Sequence, residues 1–201
     1  YANWTIELTT NATDEATVSP SILVLHETTW NTPRNITLTG VNDDVDDGNQ
    51  PYKLIWTQQI NCKATVPGCL GAYAAVMPWS TEYLYENIDD DVAGINVTQE
   101  TCCNTTEWGV NSSMVVRLTS EPTHPVVVPV ISTDTTEGRP LPASLTFTAA
   151  NWNTPQRVLV LGQDDDVYDY NVTYNVIVGT TASADPKYIG FSSTLTLVNI
   201  D

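Results

Sequence analysis

The stretch SLTFTAANWNTPQRVLVLG, residues 144–162, decides the class of fold. Its first part alternates Leu145 and Phe147 with Ser and Thr, and Val158 to Gly162 follows as a second run of strand formers. Asn153-Thr154-Pro155 stands between them as a turn. Period-two alternation is the signature of a half-buried strand. Working outward, Val172 to Val178, Leu195 to Asn199, Val126 to Ile131 and Met114 to Leu118 read as further strands. Turn signals recur about every 8–12 residues, the spacing of a β-sandwich. No window of a dozen residues carries the 3.6 period of a helix. Thr is the commonest residue, with 30 copies, and β-branched side chains fit a pleated sheet better than a helix. The expected class is all-β.

The same pattern occurs twice. Residues 20–56 align with residues 142–178 at a constant offset, with identity at 14 of 37 positions. Trp30-Asn31-Thr32-Pro33 matches Trp152-Asn153-Thr154-Pro155, Gly40 matches Gly162, and Asp43-Asp44-Val45 matches Asp165-Asp166-Val167. Tyr52 matches Tyr174, and Asn87-Ile88-Asp89 recurs as Asn199-Ile200-Asp201 after a ten-residue insert in the first copy. Such self-similarity marks a repeat architecture. Two tandem antiparallel sandwiches are expected, residues 1–91 and 92–201, joined near Asp91-Val92 with almost no linker.

The copies are unequal. The second has residues 92–117 ahead of its strand at Val126, whereas the first begins almost at the matching strand, Trp4 to Leu8. The first copy therefore lacks one or two leading strands. Polypeptide from another chain or repeat is expected beside Trp4 to Leu8 or the strand facing it, since an open sheet edge leaves backbone groups unpaired. The chain begins at Tyr1 without Met, which reads as a processed product or a fragment.

Charge and composition narrow the function. The 201 residues carry 24 Asp and Glu against 7 Lys and Arg, a net charge of −17. Phosphate neutralisation needs a basic face, so no nucleic-acid partner is expected. No apolar run approaches the roughly 20 residues of a membrane span. Seven Asn stand in Asn-x-Ser/Thr: Asn3, Asn11, Asn35, Asn96, Asn104, Asn111 and Asn171. Composition alone would place about three. Together with four Cys, an even number, this points to N-linked glycans and an oxidising, extracellular setting.

The segments Ser144-Leu-Thr-Phe-Thr, Pro155-Gln-Arg-Val-Leu-Val, Asp164-Asp-Asp-Val-Tyr-Asp169 and Tyr174-Asn-Val together resemble the Calx-β domain, an immunoglobulin-like sandwich of exchangers, integrins and surface adhesins. Thr136-Glu137-Gly138 through Gln156 is similar to tandem repeats of large secreted surface proteins of bacteria and algae. The resemblance covers most of the second copy and, more weakly, residues 20–91. It implies tandem immunoglobulin-like sandwiches, extended stalks or fibres, adhesion, and in some cases Ca²⁺ at domain junctions.

The acidic turns are the candidate structural Ca²⁺ ligands, because hard cations take six to eight oxygens, largely carboxylates. In the first copy these are Asp43, Asp44, Asp47, Asp89, Asp90 and Asp91; in the second, Asp164, Asp165, Asp166, Asp169 and Asp201, with Asp134 as a further candidate. The competing reading is a set of solvated acidic turns. The cysteines lie outside the shared repeat: Cys62 and Cys69 in the insert, Cys102 and Cys103 ahead of the second copy. A Cys102–Cys103 bond closes a strained ring, which favours one bridge from each insert cysteine to that pair. A Cys62–Cys69 bridge with a vicinal bond, and an intermolecular bridge, remain alternatives.

No nucleophile elbow, phosphate loop or His-Glu-x-x-His occurs, and His26 and His124 read as surface residues. Catalysis is not expected. Trp30 and Trp152 read as core or turn-packing residues. Trp56, Tyr73, Trp79, Tyr83 and Tyr85 crowd the first copy and read as sandwich core, as a subunit interface or as a carbohydrate-stacking surface. The expectation is a non-enzymatic, secreted structural protein, a glycosylated block of a fibre, stalk or coat built head to tail from copies of itself. The alternative is an adhesin or lectin-like carbohydrate-binding module.

Overall fold

A computed structural model describes residues 2–26, 28–62, 79–101, 104–168 and 170–201; side chains are described for these except those of residues 2, 3 and 60–62. The chain is all-β and divides into two compact units, Tyr1–Asp43 with Asp47–Asp89, and Asp44–Asp46 with Asp90–Asp201.

In the first unit, β1 (Ala2–Thr10), β2 (Ala16–Ser19), β3 (Ile22–Leu25), β4 (Thr37–Gly40), β5 (Gln50–Cys62) and β6 (Trp79–Asn87) form two antiparallel sheets. One has the order β3-β1-β5-β6 and the other is the pair β2-β4. Strand β1 is interior: Trp4 to Glu7 pair with β3, and Ala2 to Thr10 pair with β5. The expectation of an added strand beside Trp4 to Leu8 is therefore corrected, because both edges of that strand are already taken. Alternation aims Ile6, Leu8, Tyr52 and Leu54 inward, where all four are buried. Val18, Leu23, Ile36, Leu38 and Trp56 pack against the cluster but stay partly exposed.

The second unit contains β7 (Ile95–Gln99), β8 (Asn104–Thr106), β9 (Ser112–Leu118), β10 (Val126–Ser132), β11 (Gly138–Leu141), β12 (Ser144–Phe147), β13 (Gln156–Gly162), β14 (Val172–Gly179), β15 (Ala182–Ser183) and β16 (Ser192–Ile200). One sheet runs β12-β10-β14-β16-β8, with β15 on β10, and the other runs β11-β13-β9-β7. Met114, Val116 and Leu118 from β9 meet Val126, Val128, Phe147, Val176 and Leu197 from the opposite sheet in one buried core. Burying each such side chain contributes roughly 1.5–3 kcal/mol. Asp185 caps the single turn of 3₁₀ helix at Pro186–Tyr188, and the Tyr188 hydroxyl donates to the carbonyl of Ser120 at 2.6 Å.

Repeat and topology agree strand by strand. β1 to β5 correspond to β10, β11, β12, β13 and β14, and β6 corresponds to β16. β2 pairs β4 in the register in which β11 pairs β13. Strands β7, β8 and β9 have no counterpart among the described residues of the first unit.

Candidate functional site

The difference between the copies is concentrated on one side of the sandwich. In the second unit, the segment from β8 to β9 closes both sheets there. β8 runs parallel to β16, with Thr105 opposite Asn199. β9 runs antiparallel to β13, with Met114 opposite Val158. In the first unit the corresponding edges belong to β6 and β4, and among the described residues no strand pairs outside either.

Four features accompany the absence of that pair from the described residues of the first unit. Residues 156–158 are strand through their ladder to β9, while the matching residues 34–36 are irregular and β4 is only four residues long. Leu197 is fully buried, whereas Tyr85 at its position is 42% exposed. The carbonyl of Trp152 accepts the Leu118 N–H at 2.9 Å and its ring packs on the core, whereas Trp30 is 69% exposed. Trp30 is thus corrected from a packing residue to a surface one, because the strand that receives Trp152 has no equivalent there among the described residues. Finally, a Cβ on Gly162 would collide with the backbone of Thr106. That glycine admits β8, and its copy Gly40 faces the amide oxygen of Asn87 instead.

On the inner face of β6, Trp79, Thr81, Tyr83 and Tyr85 stand opposite Gln58, Trp56, Leu54 and Tyr52. Tyr83 is half exposed and Tyr85 stacks on Tyr52 at 5.8 Å. A cavity of about 160 Å³ is lined by Trp56, Gln58, Trp79, Thr81 and Tyr83. Cys62 lies at the end of β5, and its side chain, with Tyr73, Cys69, Cys102 and Cys103, falls outside the described residues, as does every disulfide pairing.

A polar tie closes the same end of each unit. Asn199 Nδ2 donates to Glu137 Oε2 at 3.2 Å and to the Gln163 carbonyl at 3.0 Å. Asn87 Nδ2 donates to Glu15 Oε2 at 3.2 Å and to the Val41 carbonyl at 2.8 Å. Recurrence of Asn87-Ile88-Asp89 as Asn199-Ile200-Asp201 is the sequence signal of this tie. The second unit adds Thr105, whose hydroxyl lies 2.8 Å from Asn199 Oδ1 and 3.0 Å from Tyr174 Oη. Burial raises the Tyr174 pKa. In the first unit Ala16 stands where the second has Gly138, on which a Cβ would collide with the Tyr174 ring. Tyr52 turns to Tyr85 instead.

The acidic loops are held by their own backbone. Asp89 Oδ2 accepts the Gly48 N–H at 2.7 Å, and Asp201 Oδ2 accepts the Tyr170 N–H at 3.2 Å. These are the same contact in the two copies, each made to a residue at positive φ, 79° at Gly48 and 69° at Tyr170. Asp165 Oδ1 accepts the Val167 N–H, and Asp134 is bonded to Thr136, whose hydroxyl holds its pKa below the usual value. Asp43, Asp47 and Asp89 belong to the first unit and Asp44, Asp90 and Asp91 to the second. Asp164, Asp165 and Asp166 are exposed, and Asp169 is outside the described residues. Among the described residues no group of three or more His, Cys, Asp or Glu side chains is arranged to hold a metal ion. Among the described candidates, Asp89, Asp165 and Asp201 each accept a backbone N–H that closes their own loop. Asp46, absent from that candidate set, accepts from Lys187 Nζ at 2.5 Å and from the Ala93 N–H at 2.8 Å. Both contacts lower its pKa, Lys187 foremost.

Of the sequon asparagines, Asn11, Asn35, Asn104, Asn111 and Asn171 are exposed and Asn96 is half-buried; the Asn3 side chain is outside the described residues. His26 and His124 are exposed. No helix of the described residues is long and apolar enough to cross a membrane.

No family model and no curated protein matches the chain. Among solved structures it is similar to WR4, a C. elegans member of the MSP family, at 14% identity over 53% of this chain and 95% of that one, with a TM-score of 0.36. It is also similar to cadherin-like domains 1 to 4 of zebrafish RET, at 12% identity over 98% of this chain and 40% of that one, with a TM-score of 0.33.

Proposed function

We propose that this chain is a non-enzymatic, extracellular structural protein, a glycosylated building block of a fibre, stalk or surface coat whose units join head to tail. One observation carries the reading: the second unit is closed along the side on which, among the described residues, no strand pairs outside β6 and β4 of the first unit. An unpaired strand edge beside an uncovered apolar face is a template for another chain. A site that differs from the surface meeting it makes a heterologous contact, which propagates as an open chain of subunits when its rotation does not close a ring. Exposed sequon asparagines and an even number of cysteines support a secreted setting. Sedimentation velocity across a concentration series, with electron microscopy of the concentrated chain, tests it. Linear oligomers growing with concentration are expected; a monomer throughout overturns the reading.

A second reading is favoured by the cavity beside Trp56, Trp79 and Tyr83. Aromatic rings at a shallow opening suit the apolar face of a sugar, and the chain would then be a carbohydrate-binding adhesin. Glycan-array binding that disappears in Trp79→Ala distinguishes this from the structural role.

A further inference from the structure

We propose that the side of the first unit on which no described strand pairs outside β4 and β6 is a receptor for a strand–turn–strand segment patterned like Asn104–Leu118, contributed by a further repeat unit. The proposal rests on the assembly reading above and names the piece of the neighbour that meets the edge.

The second unit displays the occupant in place. Fifteen residues, NTTEWGVNSSMVVRL, pair first with one sheet and then with the other, so one continuous segment closes both. Transferred by the repeat, its first strand lies parallel to β6, with a threonine opposite Asn87 in place of Thr105 opposite Asn199. The Asn87 side chain is already turned for this, because its Nδ2 makes the two bonds that Asn199 Nδ2 makes. The second strand of the donor lies antiparallel to residues 34–38. There it extends β4 to the length of β13 and offers an N–H to the carbonyl of Trp30.

Its chemistry is equally specified. Met114, Val116 and Leu118 are buried, while Val115 is half-buried and Arg117 is exposed. Alternate apolar residues on the donor would cover Ile36, Leu38, Tyr83 and Tyr85, which a lone hydrophilic strand cannot do. The first unit keeps a glycine at Gly40, the position whose copy Gly162 admits the backbone of Thr106. Larger side chains at Tyr83 and Tyr85, where the second unit has Leu195 and Leu197, give the receptor more apolar area to cover.

The test uses the intact chain and a synthetic, fluorescein-labelled peptide of residues 104–118, followed by fluorescence anisotropy and amide hydrogen exchange. Saturable one-to-one binding is expected, with new protection at residues 34–40 and 79–88. A peptide with Val116→Asp should bind at least about tenfold more weakly, because a carboxylate would enter the apolar face. Absence of saturable binding up to about 1 mM peptide, the weak limit for a specific contact, overturns the proposal. So does protection confined to residues 156–160 and 198–200, which would mean exchange into the second unit. Protection of the β4 and β6 edges in the chain alone at a dilution where it sediments as a monomer also overturns it, since a segment of the same chain then covers them. Peptide binding without concentration-dependent assembly retains the receptor and discards the fibre reading; assembly without peptide binding does the reverse.

Discussion

Thr105 donates its hydroxyl to the amide oxygen of Asn199 at 2.8 Å, across the parallel pair of β8 and β16. The Tyr174 hydroxyl lies 3.0 Å from the same oxygen atom of Thr105, and all three side chains are buried. Thr105 thereby joins β8 to β14 and β16 and completes a network that the described residues of the first unit have only in part.

Replacing Thr105 by Val keeps the shape and removes the hydroxyl. Asn199 Oδ1 and Tyr174 Oη are then buried with one partner fewer each, at a cost of about 1–3 kcal/mol. Amide exchange at Val176 and Val178, measured with and without the substitution, should show that loss in the second unit and none at Leu54 of the first. Unchanged exchange at Val176 would remove the network from the account of β8.

Gly162→Ala should destabilise the second unit more than Gly40→Ala destabilises the first. The new methyl at 162 meets the backbone of Thr106, which cannot rotate away, whereas at 40 it meets the end of the Asn87 side chain. Forcing an extra methyl into such a position costs about 1–3 kcal/mol. Urea unfolding followed by exchange at unit-specific amides compares the two, and equal effects would count against the close passage of β8.

Tyr170 is held at φ 69° with its ring exposed and tilted against Tyr168 at 4.8 Å. A side chain in this region costs roughly 1–2 kcal/mol relative to glycine, and the copied position is Gly48. Tyr170→Gly should raise the stability of the second unit by up to about 1 kcal/mol once the lost ring contact and the freer unfolded chain are deducted. The melting temperature of the variant checks this; a fall would place the value of the ring contact above that of the strain.

Asp185 is buried, which works to raise its pKa, but N–H donation from Thr123 at 2.8 Å and Lys187 at 2.9 Å outweighs burial and holds it below the ordinary value. A carboxylate with a depressed folded pKa contributes stability that is complete above its unfolded pKa and is lost as pH falls through the folded one. The second unit should therefore weaken as pH drops below about 4. Asp185→Asn, which keeps an acceptor without the titration, should flatten that part of the pH profile in urea unfolding. An identical slope in the variant would assign the acid sensitivity to other groups.

Intact-mass measurement before and after glycosidase treatment of secreted material should show glycans, with peptide mapping placing them on Asn11, Asn35, Asn104, Asn111 and Asn171. Asn96, half-buried and bonded through its Oδ1 to Thr98, should be modified least. No mass change would withdraw the secreted setting.

Much of the fold was legible in the chain itself. Alternation along residues 144–162 is a local property, because neighbouring side chains on a strand face opposite ways and one face must be apolar. The repeat of Trp-Asn-Thr-Pro, Gly and Asn-Ile-Asp was equally open to reading, since it compares residues with residues. The unequal leading segments, too, are a comparison of residues with residues, and β7, β8 and β9 have no counterpart among the described residues of the first unit. Its location was another matter. Trp4 to Leu8, the first strand in sequence, is interior, and the unpaired edges fall on β4 and β6 because strand order is set by long-range pairing. That Asp89 and Asp201 close loops onto Gly48 and Tyr170 is visible in the fold alone. Trp30 and Trp152 are identical in sequence context, yet one is exposed and the other packed. Their difference comes from β9, more than thirty residues away from Trp152 along the chain and present in one unit alone among the described residues. A side chain's burial depends on what lies across the core from it, and that neighbour is chosen by tertiary structure.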